Sequence, residues 1–260
     1  MINLVAGALL VCGFFADGRE AGCAAGPASW AATASASMDT PAGLVRIEGW
    51  ESFAGVRSAG SGDGFRLTAG GGWNPGPVAG AVALGYAPGE DGSADTLVAA
   101  LSTARVLTGN PVGFMEGLFG PSISVGGYLQ LTSVSSGATG LAGGGGLQFS
   151  VFPSFAVGVA ARDFRIAGDG FGEGSWEYGI THVFNRDIRG HLTLCGGDVS
   201  AGADLVLTEG VRVSTGTDGE GWSMGAGLDS GRFTVDYGLD MTGSGVTHTL
   251  TVIFASGEGW

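Results

Sequence analysis

The chain has 260 residues, 53 of them Gly, with 44% hydrophobic and only 13% charged residues, and a mean hydropathy of +0.31. This is too apolar for a disordered tail, and glycine without a three-residue period is not collagen-like. All 11 basic residues are Arg, against 24 acidic ones, for a formal charge of −13, which excludes a nucleic-acid-binding surface.

In chain order, residues 2–15 form the longest apolar run and are followed by small residues around Ala21 to Ala25. This pattern predicts a secretory signal over residues 1–23. No other stretch approaches the ~20 apolar residues of a spanning helix, so a membrane crossing would have to use strands. Residues 24–43 are rich in Ala, Ser and Gly and read either as a leader or as a segment packed inside a lumen. From residue 44 onward, strand candidates follow at 44–54, 64–73, 78–87, 96–107, 121–132, 141–151, 154–164, 174–184, 189–196, 200–208, 210–215, 221–229, 232–241 and 246–254. That is about fourteen, an even number. Leu97, Leu101 and Ala104 also fit a helical spacing, so residues 94–107 leave a short helix open.

The alternation is strongest toward the C-terminus. Phe233, Val235, Tyr237, Leu239 and Met241 share one face of residues 232–241, and Arg232, Thr234, Asp236, Gly238 and Asp240 share the other. Successive strand side chains point to opposite faces, so each strand has an apolar side and a small or polar side. A soluble sandwich alternates too. Here, however, the polar faces are mostly Gly, Ser and Thr, Lys is absent, and Trp and Tyr recur near strand ends, as interfacial girdles require. The expectation is a single-domain, all-β, transmembrane antiparallel up-and-down barrel of about 14 strands over residues 44–260; a secreted soluble β-protein is the rival reading. Alternation turns Arg162, Glu177, Asp204, Arg212, Arg232, Asp236 and Asp240 toward the lumen. Charges there either pair across the interior or line a pore.

Catalytic signals are weak. Gly221-Trp222-Ser223-Met224-Gly225 matches a nucleophile elbow in letters, with Asp229, Asp236 and His248 following. An elbow needs a strand, a tight turn and a helix, whereas this stretch continues an alternating strand with Ser223 and His248 on opposite faces. His182, His191 and His248 lack metal-ligand spacing, and Gly-Asp-Gly at 62–64 and 168–170 reads as turns rather than calcium sites. No enzyme activity, metal or cofactor is expected.

Three segments carry a family resemblance. Asp39-Thr40-Pro41-Ala42-Gly43-Leu44 is similar to the Asn-Pro-Ala-Gly-Leu element of the FadL-like outer-membrane barrels. Gly146 to Phe164 resembles a later hairpin of that family. Val235-Asp236-Tyr237-Gly238 with Gly245-Val246-Thr247-His248 looks like the closing hairpin of its PorV/PorQ-like branch. The resemblance implies a bacterial outer-membrane barrel in contact with lipid, with residues 24–43 as an N-terminal hatch and Thr40, Pro41, Ala42, Gly43 and Leu44 at its root. It implies one of two roles: a scaffold or adaptor for export-machinery proteins, or passive uptake of a hydrophobic small-molecule ligand.

Overall fold

The computed structural model describes residues 33–34, 40–59, 64–89, 94–111, 118–168, 174–242 and 245–256. The predicted signal and most of the leader lie outside them. The strands are β1 (Gly49–Ala59), β2 (Phe65–Asn74), β3 (Val78–Ala87), β4 (Thr96–Gly109), β5 (Ser122–Val134), β6 (Thr139–Phe152), β7 (Phe155–Gly168), β8 (Ser175–Asn185), β9 (Ile188–Cys195), β10 (Asp198–Thr208), β11 (Val211–Thr217), β12 (Trp222–Asp229), β13 (Phe233–Thr242) and β14 (Gly245–Ala255). Each pairs antiparallel with the next, and β14 pairs back onto β1 from Glu51↔Ala255 to Ala59↔Thr247, closing the barrel. Closure leaves no strand edge whose backbone groups would face lipid unpaired.

The side-chain pattern explains why the sheet closes in this sense. Leu67, Leu84, Leu101, Leu129, Leu192, Met224 and Leu250 are exposed on the outside, while Ser102, Thr132, Thr193, Ser223 and Thr251 are buried within. Aromatic residues mark both rims of the outer belt. Trp50, Trp73, Phe152, Phe233 and Phe254 ring the end where β1 starts and β14 finishes, called here the lower end. Phe65, Tyr86, Trp176, Tyr178 and Trp222 ring the upper end. The wall is uneven in height: β4 to β7 run for 13 or 14 residues, whereas β9, β11 and β12 have only 7 or 8.

The structure departs from the sequence reading in a few places. Residues 44–46 do not begin a strand, because Pro41–Arg46 is a 3-10 turn, and β1 starts at Gly49 with φ 75°. Proline at the first helical position has no amide to lose and a φ already set for the turn. Residues 96–109 are strand throughout, with Leu97 and Leu101 outward and Val98, Ala100 and Ser102 inward. β7 runs on to Gly168 through a bulge at Asp163, whose φ is 55°. The extra residue shifts the alternation by one, so Arg162 stays buried inside while Phe164 and Ile166 both reach the outer face. Tyr128, inside on β5, holds the bulge: its hydroxyl donates to Asp163 Oδ1 at 2.9 Å and accepts from the Asp163 amide at 2.8 Å.

Candidate functional site

The 3-10 turn lies inside the barrel near its lower end, against β2 to β6, and all six of its residues are buried. The strands make room for it with glycine. A Cβ at Gly126 would come within 2.6 Å of backbone atoms of Pro41 and Ala42, and one at Gly72 within 3.0 Å of Ala34 and Ile47. Gly146 faces the Thr40 methyl and Ala42. Where the wall carries no side chain, the turn's backbone rests directly on the sheet.

Polar side chains then fasten it. Asn74, at the end of β2, donates from Nδ2 to the carbonyls of Val45 and Ile47, both at 2.9 Å, and accepts the Gly76 amide. Ser124 on β5 donates to the Ala42 carbonyl at 3.0 Å, and the Ala34 amide donates to Glu51 at 2.8 Å. Leu44, Val45 and Ile47 join Phe53, Val98 and a row of inward alanines on β3 and β4 in one apolar cluster. The connection from β4 to β5 folds in beside them. Phe119 is fully buried against Ala156 and Val183, its amide donates to the Pro153 carbonyl at 2.8 Å, and the Arg46 guanidinium stands 4.7 Å above its ring. Burial pushes Arg46 down to about 10, so it remains a cation at neutral pH.

Most of the predicted lumen charges sit around the other half of the wall, and four of them meet in two ion pairs. Arg162 on β7 pairs with Glu177 on β8 at 2.7 Å, with both side chains buried. Arg212 on β11 pairs with Asp236 on β13 through both carboxylate oxygens. Asp204 on β10 lies 3.3 Å from His191 Nε2, and the other ring nitrogen of His191 is 2.9 Å from the Thr181 hydroxyl. Asp240, half-buried on β13, pairs in register with Ser223 and Thr247 toward the upper end. Arg232 departs from the prediction: it is exposed in the lower turn between β12 and β13, because β13 begins one residue later, at Phe233. Thr40 and Pro41 to Leu44 are buried together inside the barrel.

The resulting lumen has two unlike halves. β3 and β4 contribute mainly alanine, valine and glycine, Arg57 and Arg66 stand in register on β1 and β2, and β7 to β13 carry the ion pairs Arg162–Glu177 and Arg212–Asp236. Buried charges are tolerated when paired, and removing one partner is far costlier than never having had either. These pairs therefore act first as structure.

Asn74, Ser124, Glu51, Tyr128 and Phe119 carry much of this geometry, and none stands out in the sequence. Asn74 precedes Pro75-Gly76-Pro77, which marks a turn but not a clamp. Ser223 lies wholly buried inside, opposite Asp240 and Gly216 in register, whereas His248 is on the outer face with Nδ1 2.6 Å from the Tyr237 hydroxyl. The two cannot form a nucleophile and base. Among the described residues no three His, Cys, Asp or Glu side chains gather as a metal site.

A cleft of about 430 Å³ opens at the lower end. Val45, Asn74, the β2–β3 turn and the end of β4 line it.

No protein-family model matches the chain, and no curated protein matches it in sequence. Solved structures do match in fold. A TodX monoaromatic hydrocarbon channel, as its deltaS2 mutant, superposes with a TM-score of 0.63 at 8% identity, over 95% of this chain and 99% of that one. A Pseudomonas aeruginosa FadL homologue gives 0.61 at 10% identity, over 92% and 98%. The CymD monoaromatic hydrocarbon channel gives 0.60 at 13% identity, over 92% and 97%. The chain is thus a closed 14-strand barrel with the fold of FadL-type outer-membrane channels.

Proposed function

We propose that the chain is a bacterial outer-membrane channel for passive uptake of small hydrophobic molecules, with residues 24–43 as its N-terminal hatch. The observation that carries this reading is the divided lumen. One half is an apolar wall of Phe53, Val98 and the β3–β4 alanines, and the other carries two ion pairs, Arg162–Glu177 and Arg212–Asp236, with His191 held between Thr181 and Asp204. Among the described residues these pairs join opposite charges instead of forming a ring of one sign with which to select ions. The lower end, where five of six connections are two or three residues long and β1 and β14 terminate, is the periplasmic side, since outer-membrane barrels keep short turns there. The docked 3-10 turn then closes the periplasmic exit. Two barrels of the same fold are monoaromatic hydrocarbon channels, which makes a monoaromatic compound a reasonable first solute.

The adaptor role finds no separate support in the closing hairpin. Asp236 there is engaged with Arg212, and His248 with Tyr237.

The test is accumulation of a radiolabelled monoaromatic hydrocarbon by cells with an intact lipopolysaccharide leaflet, with and without the protein. Faster accumulation of the hydrocarbon, but not of a charged solute of similar size, is expected. Equal rates with and without the protein would refute the proposal.

A further inference from the structure

One charged residue stands on the wrong side of the wall. Arg105 on β4 is exposed on the outer face, in register with Val78 on β3 and Val125 on β5, both exposed apolar residues of the lipid belt. Among the described strand residues facing outward it is the one permanent charge, and no hydrogen bond or ion pair joins its guanidinium to any described residue. Three threonines on this face are satisfied within the sheet: Thr103, Thr215 and Thr217 give their hydroxyls to the carbonyls of Ala79, Ser223 and Gly221.

Its depth is informative. Val78 is the first residue of β3 after the lower turn, so Arg105 lies at the lower rim. Trp73, of the aromatic girdle, covers Gly80 so closely that a Cβ there would meet the indole at 2.6 Å; Gly80 pairs with Thr103, the outward neighbour of Arg105 on the same strand face. An indole and a guanidinium thus flank one spot at headgroup level, where an arginine costs little, about 0–1 kcal/mol against 2–4 at the midplane. The lower-end cleft adjoins this spot from below, where β4 runs on past the first residue of β3: Val106 turns into the lumen cluster, whereas Leu107, Thr108 and Asn110 are exposed. Its exposed rim combines the apolar side chain of Leu107 with the polar ones of Thr108 and Asn110.

We propose that Arg105 and this cleft form a binding site for a glycerophospholipid of the periplasmic leaflet. The phosphodiester pairs with Arg105, the glycerol and headgroup enter the cleft, and the acyl chains run up the belt past Val78 and Val125. A phosphate is the anion that lipid presents at this depth, and Arg is the side chain suited to hold it.

Native mass spectrometry of the full chain, titrated with phosphatidylglycerol in a mild detergent, tests this without reference to transport. Arg105→Gln should weaken binding about fivefold, as loss of one basic group near a lipid phosphate implies, and Arg105→Lys should recover most of it. Arg186→Gln, at the exposed β8–β9 turn of the same end, should bind as the parent does. Leu107→Glu, which places a negative charge at the cleft with Arg105 intact, should weaken binding as well, and it serves if Arg105→Gln does not assemble. Equal binding by the parent, Arg105→Gln and Leu107→Glu would overturn the site. So would an equal loss in Arg186→Gln, which would reduce the effect to general charge, or displacement of the lipid by excess inorganic phosphate, which would make it a simple anion site.

Discussion

Replacing Asn74 by Ala should loosen the hatch without opening the barrel. The side chain donates to the Val45 and Ile47 carbonyls at 2.9 Å each, and neither bond belongs to the strand ladder. At a net value of about 1 kcal/mol per bond, the docked turn loses about 2 kcal/mol, which is roughly a 30-fold rise in its undocked population. Hydrogen–deuterium exchange of a peptide spanning residues 42–48 reads that population directly, because local opening controls exchange there. Asn74→Asp separates the contributions: it keeps the acceptor for the Gly76 amide but removes both donors, so it should expose the turn at least as much as Ala does. Unchanged exchange in both variants, with the heat-modifiable gel shift of an assembled barrel retained, would show that apolar packing of Leu44, Val45 and Ile47 holds the turn unaided.

Four further outcomes are expected. Gly126→Val should displace the turn and raise single-channel conductance, whereas Gly127→Ala, one residue on and facing outward with its nearest neighbour at 3.4 Å, should leave conductance unchanged. Val82→Arg, midway along β3 in the lipid belt, should cost about 2–4 kcal/mol of folding stability in urea titrations in vesicles; a cost below 1 kcal/mol would contradict the face assignment. Thr249→Val should raise stability by about 1 kcal/mol in the same titration, since the buried Thr249 hydroxyl has no hydrogen-bond partner and an isosteric methyl removes that penalty. Tyr128→Phe should lower stability by about 1–2 kcal/mol through loss of both bonds to Asp163, and no change would mean that the bulge holds itself.

Strand positions were legible because lipid outside and small or polar groups inside impose period two on nearly every segment. β3 spans residues 78–87 as expected, β12 differs from expectation by a residue at one end and β14 by a residue at each end. The failures have local causes. At residues 44–46 the apolar Leu44 and Val45 face the lumen cluster from a 3-10 turn, and an apolar pair reads the same whether it is buried in a plug or embedded in lipid. At Asp163 a single inserted residue reverses the alternation, which in sequence looks like a strand ending. The lumen charges could be placed on a face, but their partners could not be named: Arg212 meets Asp236 across an intervening strand, a relation set by barrel stagger and not by spacing. Asn74 and Phe119 act through contacts 27 to 73 residues away in the chain, and local composition has no mark for that.

The uneven wall has a consequence for the membrane around it. With strands tilted by about 40° and rising about 3.3 Å per residue, β4 to β7 stand roughly 35 Å tall and β11 and β12 only about 18–20 Å, against a lipid belt of about 25 Å. A bilayer cannot match both sides at one thickness, and each ångström of mismatch costs a fraction of a kcal/mol. The barrel should therefore lean, and the lipids along β11 and β12 should be compressed into a thin crescent. Such a crescent is a place where other proteins with short hydrophobic belts would collect, so the barrel's lopsided strand lengths give its surroundings a direction.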